Sequence, residues 1–371
     1  MIKDVSERIC FVSPHIYGYF SPEQGYTGGG AERQFHLLST ALTDRFDVHV
    51  VVGDFGQPKR EKREGVTLHR AYPIQSRQSP LQPIRHVAIL ANAMRRADAD
   101  VYIHRGPPRN AGIASFLTRL LRRRWVYHVA HDSYLGERAD SLNYPVRRLF
   151  TNAIRNADSV IAQTAYQKEQ LQKKYNKNSE VIPNGYPQSD DPPPYRDREY
   201  ALWVGRLDEQ QKQPHKYLSL AEALPNETFR LVGPVDEQDP YQRRIRSRAE
   251  SLDNVQFVGS VPPTEIHDQY RYAKTLVNTS SKEGFPNTFL EAWRQGTPIV
   301  SLSIDPSRFG GAGSLFAADN MDRLVTIARI LCIDPDFRER IGTAGKGYFE
   351  ANYELSIVAK QYTQILRTVC S

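Results

Sequence analysis

Lys274–Val300 reads KTLVNTSSKEGFPNTFLEAWRQGTPIV, and its succession of patterns decides how the rest of the chain is to be taken. Thr275–Thr279 predicts a strand, Glu283–Asn287 has the glycine and proline of a turn, Thr288–Gln295 predicts a helix stopped by Gly296, and another strand follows. Two carboxylates bracket the turn. Glu283 stands just beyond the strand's carboxyl end and Glu291 one turn into the helix, so both are brought toward the mouth of a parallel sheet, where α/β proteins bind ligands. The amides from Gly284 to Thr288 point the same way. A helix start of this kind favours anions or hydroxyl-bearing ligands, because its first amides lack intrahelical partners and carry the positive end of the dipole. The same residues admit a structural reading. Thr288-x-x-Glu291 is a capping-box pattern, in which Glu291 only satisfies an amide at the helix start, and Glu283 is then a solvated turn residue.

The 371 residues exceed one ordinary core and suit two domains. A 40% apolar fraction with mixed charge is that of a globular chain. No apolar run approaches the roughly 18 residues that span a bilayer. The N-terminal MIKDVSERICFVSP enters a strand pattern with acidic residues ahead of it, unlike a signal peptide. Cys10, Cys332 and Cys370 lie far apart with neither CxxC nor metal spacing, which predicts a reducing, cytoplasmic setting and thiols used as small hydrophobes. The net charge of +7 is uneven: residues 1–185 hold 27 Lys/Arg against 17 Asp/Glu, and residues 186–371 hold 22 against 25. The basic first half suggests an anionic partner, a membrane surface or a nucleic acid, and no nucleic-acid module is visible.

In chain order, Arg8–Pro14 predicts a first strand, which leads into a loop ending TGGGAERQ at Thr27–Gln34. Gly28, Gly29 and Gly30 let backbone approach a ligand, although the spacing is not the GxGxxG of dinucleotide binders. Phe46–Val52 and Val66–His69 predict strands around a charged loop, QPKREKREG. A helix over Arg85–Arg96 and a strand over Val101–Ile103 precede RGPPRN and a helix whose apolar positions are Ile113, Phe116, Leu117, Leu120 and Leu121. That helix covers a sheet, and its basic end at Arg119 and Arg122–Arg124 either complements its own dipole or faces lipid. Trp125–Ala130 is a strand running to His131-Asp132. His128 and His131 are an odd number apart, so at most one of them faces a cleft. A strand with its lead-in over Asn156–Gln163, a helix over Ala165–Tyr175 and EVIPNGY at Glu180–Tyr186 complete the first half.

Ser189–Glu199, SDDPPPYRDRE, has the composition of a linker. YALWVGRLDEQQK then starts a second alternating series, with Arg206 and Lys212 near a strand's end, a pair of cations suited to a diphosphate. Strands over Thr228–Val232 and Val255–Val258 and helices over Tyr241–Ser251 and Pro263–Tyr272 lead to the opening unit, and Ile357–Thr368 predicts the last helix. Asp98-Ala99-Asp100 is a literal DxD, but it occupies an ordinary helix-to-strand loop and is expected to bind nothing.

SSKEGFPNTFLEAWRQGTPIV closely resembles the Glu-x7-Glu signature of the retaining GT-B glycosyltransferases of family 4, which includes sucrose and glycogen synthase relatives. The match extends in order to the GGAE-like loop, His131-Asp132, the IPNG approach and GRL…K, so it covers nearly the whole chain. Many relatives have the lysine one residue earlier with a glycine after it. The resemblance implies an α/β fold of two doubly wound Rossmann-like domains facing across a cleft. These are residues 1–188 on the acceptor side, a linker at 189–199 and a donor domain at 200–352, with a helix at 353–371 returning to the first domain.

The resemblance also implies roles. Glu283 and His131 are catalytic. The donor, a nucleotide-diphosphate sugar, is held by Gly29, Gly30, Arg206, Lys212, Gly284, Phe285, Pro286, Asn287, Thr288 and Glu291, with Glu291 on the ribose and both cations on the diphosphate. Gly28, Arg33 and Arg105 bind the acceptor, a glycan or lipid-linked molecule. The expected chemistry is retaining, front-face and metal-independent, with no cofactor, on a cytoplasmic protein that is peripheral on the membrane's inner face. A nucleotide-sugar hydrolase or epimerase of this fold and a non-catalytic basic membrane-binding protein are the rival readings.

Overall fold

The computed structural model describes residues 7–25, 28–74, 81–304, 309 and 314–371; Thr27 of the expected glycine loop lies outside them. Two compact units emerge, residues 1–185 with 355–371, and residues 186–354.

The N-terminal unit is built on strands β1 (Arg8–Val12), β2 (Asp47–Asp54), β3 (Arg60–Arg63), β4 (Val66–Pro73), β5 (Val101–Arg105), β6 (Arg124–His128), β7 (Ser159–Ala162) and β8 (Glu180–Val181). Their order is β3-β4-β2-β1-β5-β6-β7-β8, parallel except for β3. With β3 set aside, β4-β2-β1-β5-β6-β7 is the doubly wound order, and the chain reverses direction between β1 and β5. The central strands are apolar on successive residues because both faces are covered. On one face lie Met94, Leu117, Phe150 and Leu171. On the other, Phe35 and Leu38 of helix Gly30–Ala41 meet Val358, Tyr362 and Leu366 of the final helix, Leu355–Cys370. Each large side chain so buried contributes about 1.5–3 kcal/mol, which holds the C-terminal helix on the first unit.

Two expectations about this unit are corrected. QPKREKREG is not a solvated loop: Arg60–Arg63 pairs antiparallel with β4 through a tight turn whose Glu64 and Gly65 both have positive φ, 48° and 82°. The helix over RGPPRN and beyond, Pro108–Leu120, packs Leu117 into the core and leaves Phe116 and Leu120 exposed.

The C-terminal unit carries β9 (Tyr200–Val204), β10 (Phe229–Val232), β11 (Val255–Gly259), β12 (Ala273–Asn278), β13 (Ile299–Leu302) and β14 (Leu315–Ala318), all parallel, in the order β11-β10-β9-β12-β13-β14. The topology repeats that of the first unit, with the reversal between β9 and β12. The stretch expected as a linker is packed into this unit. Arg198 is buried under the Tyr195 ring and donates to Ala273 O at 3.1 Å, Gln295 O at 2.8 Å and Thr297 Oγ1 at 2.9 Å. These oxygens replace water around a guanidinium whose pKa burial lowers to about 10. Composition alone reads as a linker because the partners of Arg198 lie far along the chain.

Candidate active site

The helix after the β12 loop runs from Asn287 to Arg294, with Pro286 before it and no side-chain cap. Thr288 is therefore its second residue, and Glu291, at the fifth, cannot complete a capping box with it. The helix ends as the sequence predicts. Gly296, at φ +60°, donates to Trp293 O at 2.9 Å and Thr297 donates to Ala292 O at 2.8 Å, which is a Schellman closure.

Glu283 is not solvated either. It is 8% exposed, and its Oε1 lies 2.5 Å from Lys212 Nζ. The chain brings them together by stitching the end of β9 to the end of β12. Trp203 Nε1 donates to Thr279 Oγ1 at 2.9 Å, Thr279 Oγ1 donates to Lys212 O at 2.7 Å, and Ser281 N donates to Gln211 O at 2.8 Å. Glu291 is 2% exposed, with Arg294 Nη1 at 3.5 Å from its Oε2. The loop between the glutamates is held from beneath: Phe285 packs its ring 5.3 Å from those of Phe309 and Tyr353, and Gly284 and Pro286 are buried beside it. Asn287 and Thr288 are half-buried at the helix start, and Thr288 Oγ1 has no hydrogen-bond partner among the described residues. Arg206 is exposed, on the wall of a cleft of about 490 Å³ that also holds Asp208, Asp236, Asp239 and Tyr241.

This unit thus gathers Lys212, Glu283, the amides of the Gly284–Thr288 turn and Glu291 at the carboxyl edge of a sheet, beside its switch point. The chemistry available is a cation and helix-start dipoles for an anion, with two buried carboxylates to accept from hydroxyls.

In the N-terminal unit, helix Gly30–Ala41 starts at Gly30, and Gly29 N–H donates to Glu32 Oε2 at 2.8 Å. Gly28 must be glycine here, since a Cβ would sit 2.7 Å from Glu32 Cβ and 2.9 Å from His15 O. Arg33 is half-buried on the first turn. His131 caps the short turn Asp132–Leu135, and its Nδ1 accepts from Ser133 N at 3.1 Å. A backbone N–H can only donate, so the neutral ring carries its proton on Nε2. His128 is buried against the Tyr362 hydroxyl, and desolvation lowers its pKa well below the usual value. Of the two histidines, His131 is the one outside the core.

Arg105 is buried rather than presented to solvent. Its Nη2 donates to Gln163 Oε1 at 2.8 Å; Gln163 Nε2 donates to Val129 O at 2.7 Å and Ala130 O at 2.9 Å, while Gln167 Nε2 holds Asp132 Oδ1 at 2.9 Å. Arg105 therefore supports the loop that carries His131. Sequence reasoning missed Gln163 and Gln167, whose i, i+4 spacing at a strand-to-helix junction was the available signal, and Arg294, three residues after Glu291 on one helix face.

The basic patch is weaker than its residue count. Arg123 pairs with Asp98 at 2.7 Å and Asp100 at 3.2 Å, and Arg124 pairs with Asp158 at 2.9 Å. Trp125, next to them in sequence, is buried and donates to Ala153 O at 3.0 Å. The DxD carboxylates are thereby engaged by arginine. Among the described residues no helix is long and apolar enough to cross a membrane.

Two Rossmann-like units in one chain are the architecture of the GT-B class. Residues 28–189 match the family described as Glycosyltransferase Family 4, and residues 187–348 match Glycosyl transferases group 1. The chain belongs to the family 4-like glycosyltransferases of GT-B fold. Sucrose-phosphate synthase from Thermosynechococcus elongatus is similar over 98% of this chain and 99% of its own, at 19% identity and TM-score 0.80. HepE from Anabaena in complex with UDP-glucose is similar over 97% and 99%, at 18% identity and TM-score 0.74. The lipopolysaccharide outer core galactosyltransferase WaaB matches over 97% and 99%, at 18% identity and TM-score 0.65.

Proposed function

We propose that the chain is a retaining, metal-independent hexosyltransferase that moves a sugar from a nucleoside-diphosphate donor to the hydroxyl of a lipid-linked or cell-surface glycan precursor. The observation that carries this reading is the Lys212–Glu283 pair beside the helix start that leads to Glu291. HepE, of similar fold, is described with UDP-glucose, which supports a nucleotide-sugar donor.

Breaking the anomeric bond places negative charge on the departing diphosphate and positive charge on the sugar carbon. Lys212 and Arg206 offset the first, and Glu283 faces the second while holding Lys212 in place. The N–H groups of Gly284, Phe285, Asn287 and Thr288 bind sugar and phosphate oxygens, and the Glu291 carboxylate accepts from the ribose hydroxyls. His131 offers Nε2–H to a sugar hydroxyl. The leaving phosphate takes the acceptor's proton, so no side-chain nucleophile, resident cofactor or metal enters the scheme.

The experiment is a panel of nucleotide sugars screened for thermal stabilisation, followed by NMR of the product made in the presence of a chelator. The expected outcome is stabilisation by a subset of donors and a product with the donor's anomeric configuration. Inversion, or activity lost to the chelator, overturns the mechanism. Sugar turnover without any acceptor favours the hydrolase reading.

A further inference from the structure

We propose that the N-terminal unit carries a binding site for an anionic amphiphile, with a buried subsite for the apolar body and an arginine at its mouth for the anion. This identifies the acceptor's chemical class and rests on the transfer reading above. The site is a cavity of about 560 Å³, well inside the range of small-molecule pockets. It opens where β1 and β5 end, at Val12, Pro14 and His104, which is the switch point of this sheet. The position matches that of the Lys212–Glu283 site in the other unit.

Three features of the wall specify the ligand. The body of the cavity is apolar, with Val87 and Leu90 on helix Gln82–Ala97 facing Ile113 and Ala114 on helix Pro108–Leu120. The apolar surface continues outward: Phe116 and Leu120 follow Ile113 at i+3 and i+7 and are exposed, as are Leu81 and Ile84 at the start of the facing helix. A chain longer than the cavity thus has a surface to follow.

The second feature is charge. Arg109 stands at the mouth, exposed and with no partner among the described residues, on the first turn of its helix, where the backbone dipole is positive. Among the described residues no carboxylate lines the cavity.

The third is His104. It is 3% exposed and lines the cavity; its Nδ1 donates to Val12 O at 2.7 Å, and its Nε2 has no hydrogen-bond partner among the described residues. Because Nδ1 holds the proton, Nε2 is an acceptor waiting for a hydroxyl. Burial lowers the ring's pKa to about 4, so it stays an acceptor at neutral pH. A buried acceptor without a donor costs stability, and a ligand hydroxyl repairs it.

The test is calorimetry on the full chain with n-octyl phosphate below its micelle concentration, with inorganic phosphate and 1-octanol as separate arms. Octyl phosphate is expected to bind at least tenfold more tightly than either. Val87→Trp, which fills the cavity from a half-buried position, should remove that binding with the melting temperature kept, and Ile113→Trp serves if the first variant does not fold. Arg109→Ala should bring octyl phosphate down to the level of octanol, and Arg109→Lys should restore part of the difference. Equal affinity for inorganic phosphate, or native binding by folded Val87→Trp, overturns the proposal. UDP titrated into the same samples separates the two readings: UDP binding without octyl phosphate binding sinks the pocket alone, and the reverse removes the donor site and the acceptor role with it.

Discussion

The two units share one topology and use the same point of it for opposite chemistry. Between β9 and β12 the C-terminal unit places a buried ion pair, Lys212 with Glu283, next to a helix start. Between β1 and β5 the N-terminal unit places a neutral histidine at the foot of an apolar cavity with one arginine at the mouth. The strand order makes a crevice in either case because neighbouring crossover helices leave in opposite directions there. What fills the crevice is decided by the few residues just past the strand ends: Arg206–Lys212 and Thr279–Glu283 in one unit, Ser13–Pro14 and His104–Arg109 in the other. Fold supplies the position and loop chemistry the specificity.

If the C-terminal unit is the charge-handling half, its pair must dominate the rate. Glu283→Gln is expected to lower transfer by about 100-fold, the scale of a lost electrostatic contact in the transition state, while diphosphate affinity stays within a few fold. Wild-type turnover by this variant, measured beside its melting temperature, would break the comparison at its strongest point.

The two cations should part company. Arg206→Ala weakens nucleoside-diphosphate binding by about 2 kcal/mol and leaves the fold alone, since Arg206 is exposed. Lys212→Ala also strands Glu283 in a buried site, so its melting temperature falls together with its affinity. Calorimetry and thermal melts on both variants check this, and equal stability of the two would remove the pair's structural role.

Acid should act on the N-terminal unit first. Burial depresses His104 to about 4 and His69 to about 3, so the unfolded chain takes up a proton before the folded one as pH falls below about 6.5. Stability is full above that pH and is lost as pH falls toward 4, by about 2 kcal/mol at pH 5 for a histidine shifted as His104 is. Hydrogen exchange at pH 7 and pH 5, resolved by unit, should show protection lost first in residues 9–174. Earlier loss in the C-terminal unit would reverse the assignment.

Glu291→Gln gives a smaller effect. Helix Asn287–Arg294 has no capping box for glutamine to rescue, so a nucleotide affinity lowered by about 1 kcal/mol with an unchanged fold is expected. Unchanged affinity would remove the ribose contact and leave Glu291 a structural role beside Arg294.

The smallest effect concerns the basic patch. Because Arg123 and Arg124 are paired with aspartates, replacing either with Ser should change binding to anionic vesicles only slightly, and any electrostatic binding that remains should fade with salt. Co-sedimentation at low and high salt measures both. Equal capture by neutral and anionic vesicles removes the electrostatic contribution.

The sequence by itself determined the class of fold. Strand and helix periods, glycine stops such as Gly296 and the ordered motifs are local signals, readable because each depends on residues within a turn or two. It also located the loop between Glu283 and Glu291 and preferred His131 to His128. Tertiary structure alone decided which of these residues meet. Lys212 and Glu283 are 71 residues apart and come together only because β9 and β12 are neighbours in the sheet. Arg105 turned inward because Gln163, 58 residues later, offers it a buried oxygen, and Arg198 turned a proline-rich stretch into packed structure through oxygens 75 to 99 residues away. The cavity beside His104 was hidden for the same reason: its walls come from β1, β4, β5 and two helices, and the volume between them follows from how side chains pack, which no local pattern records.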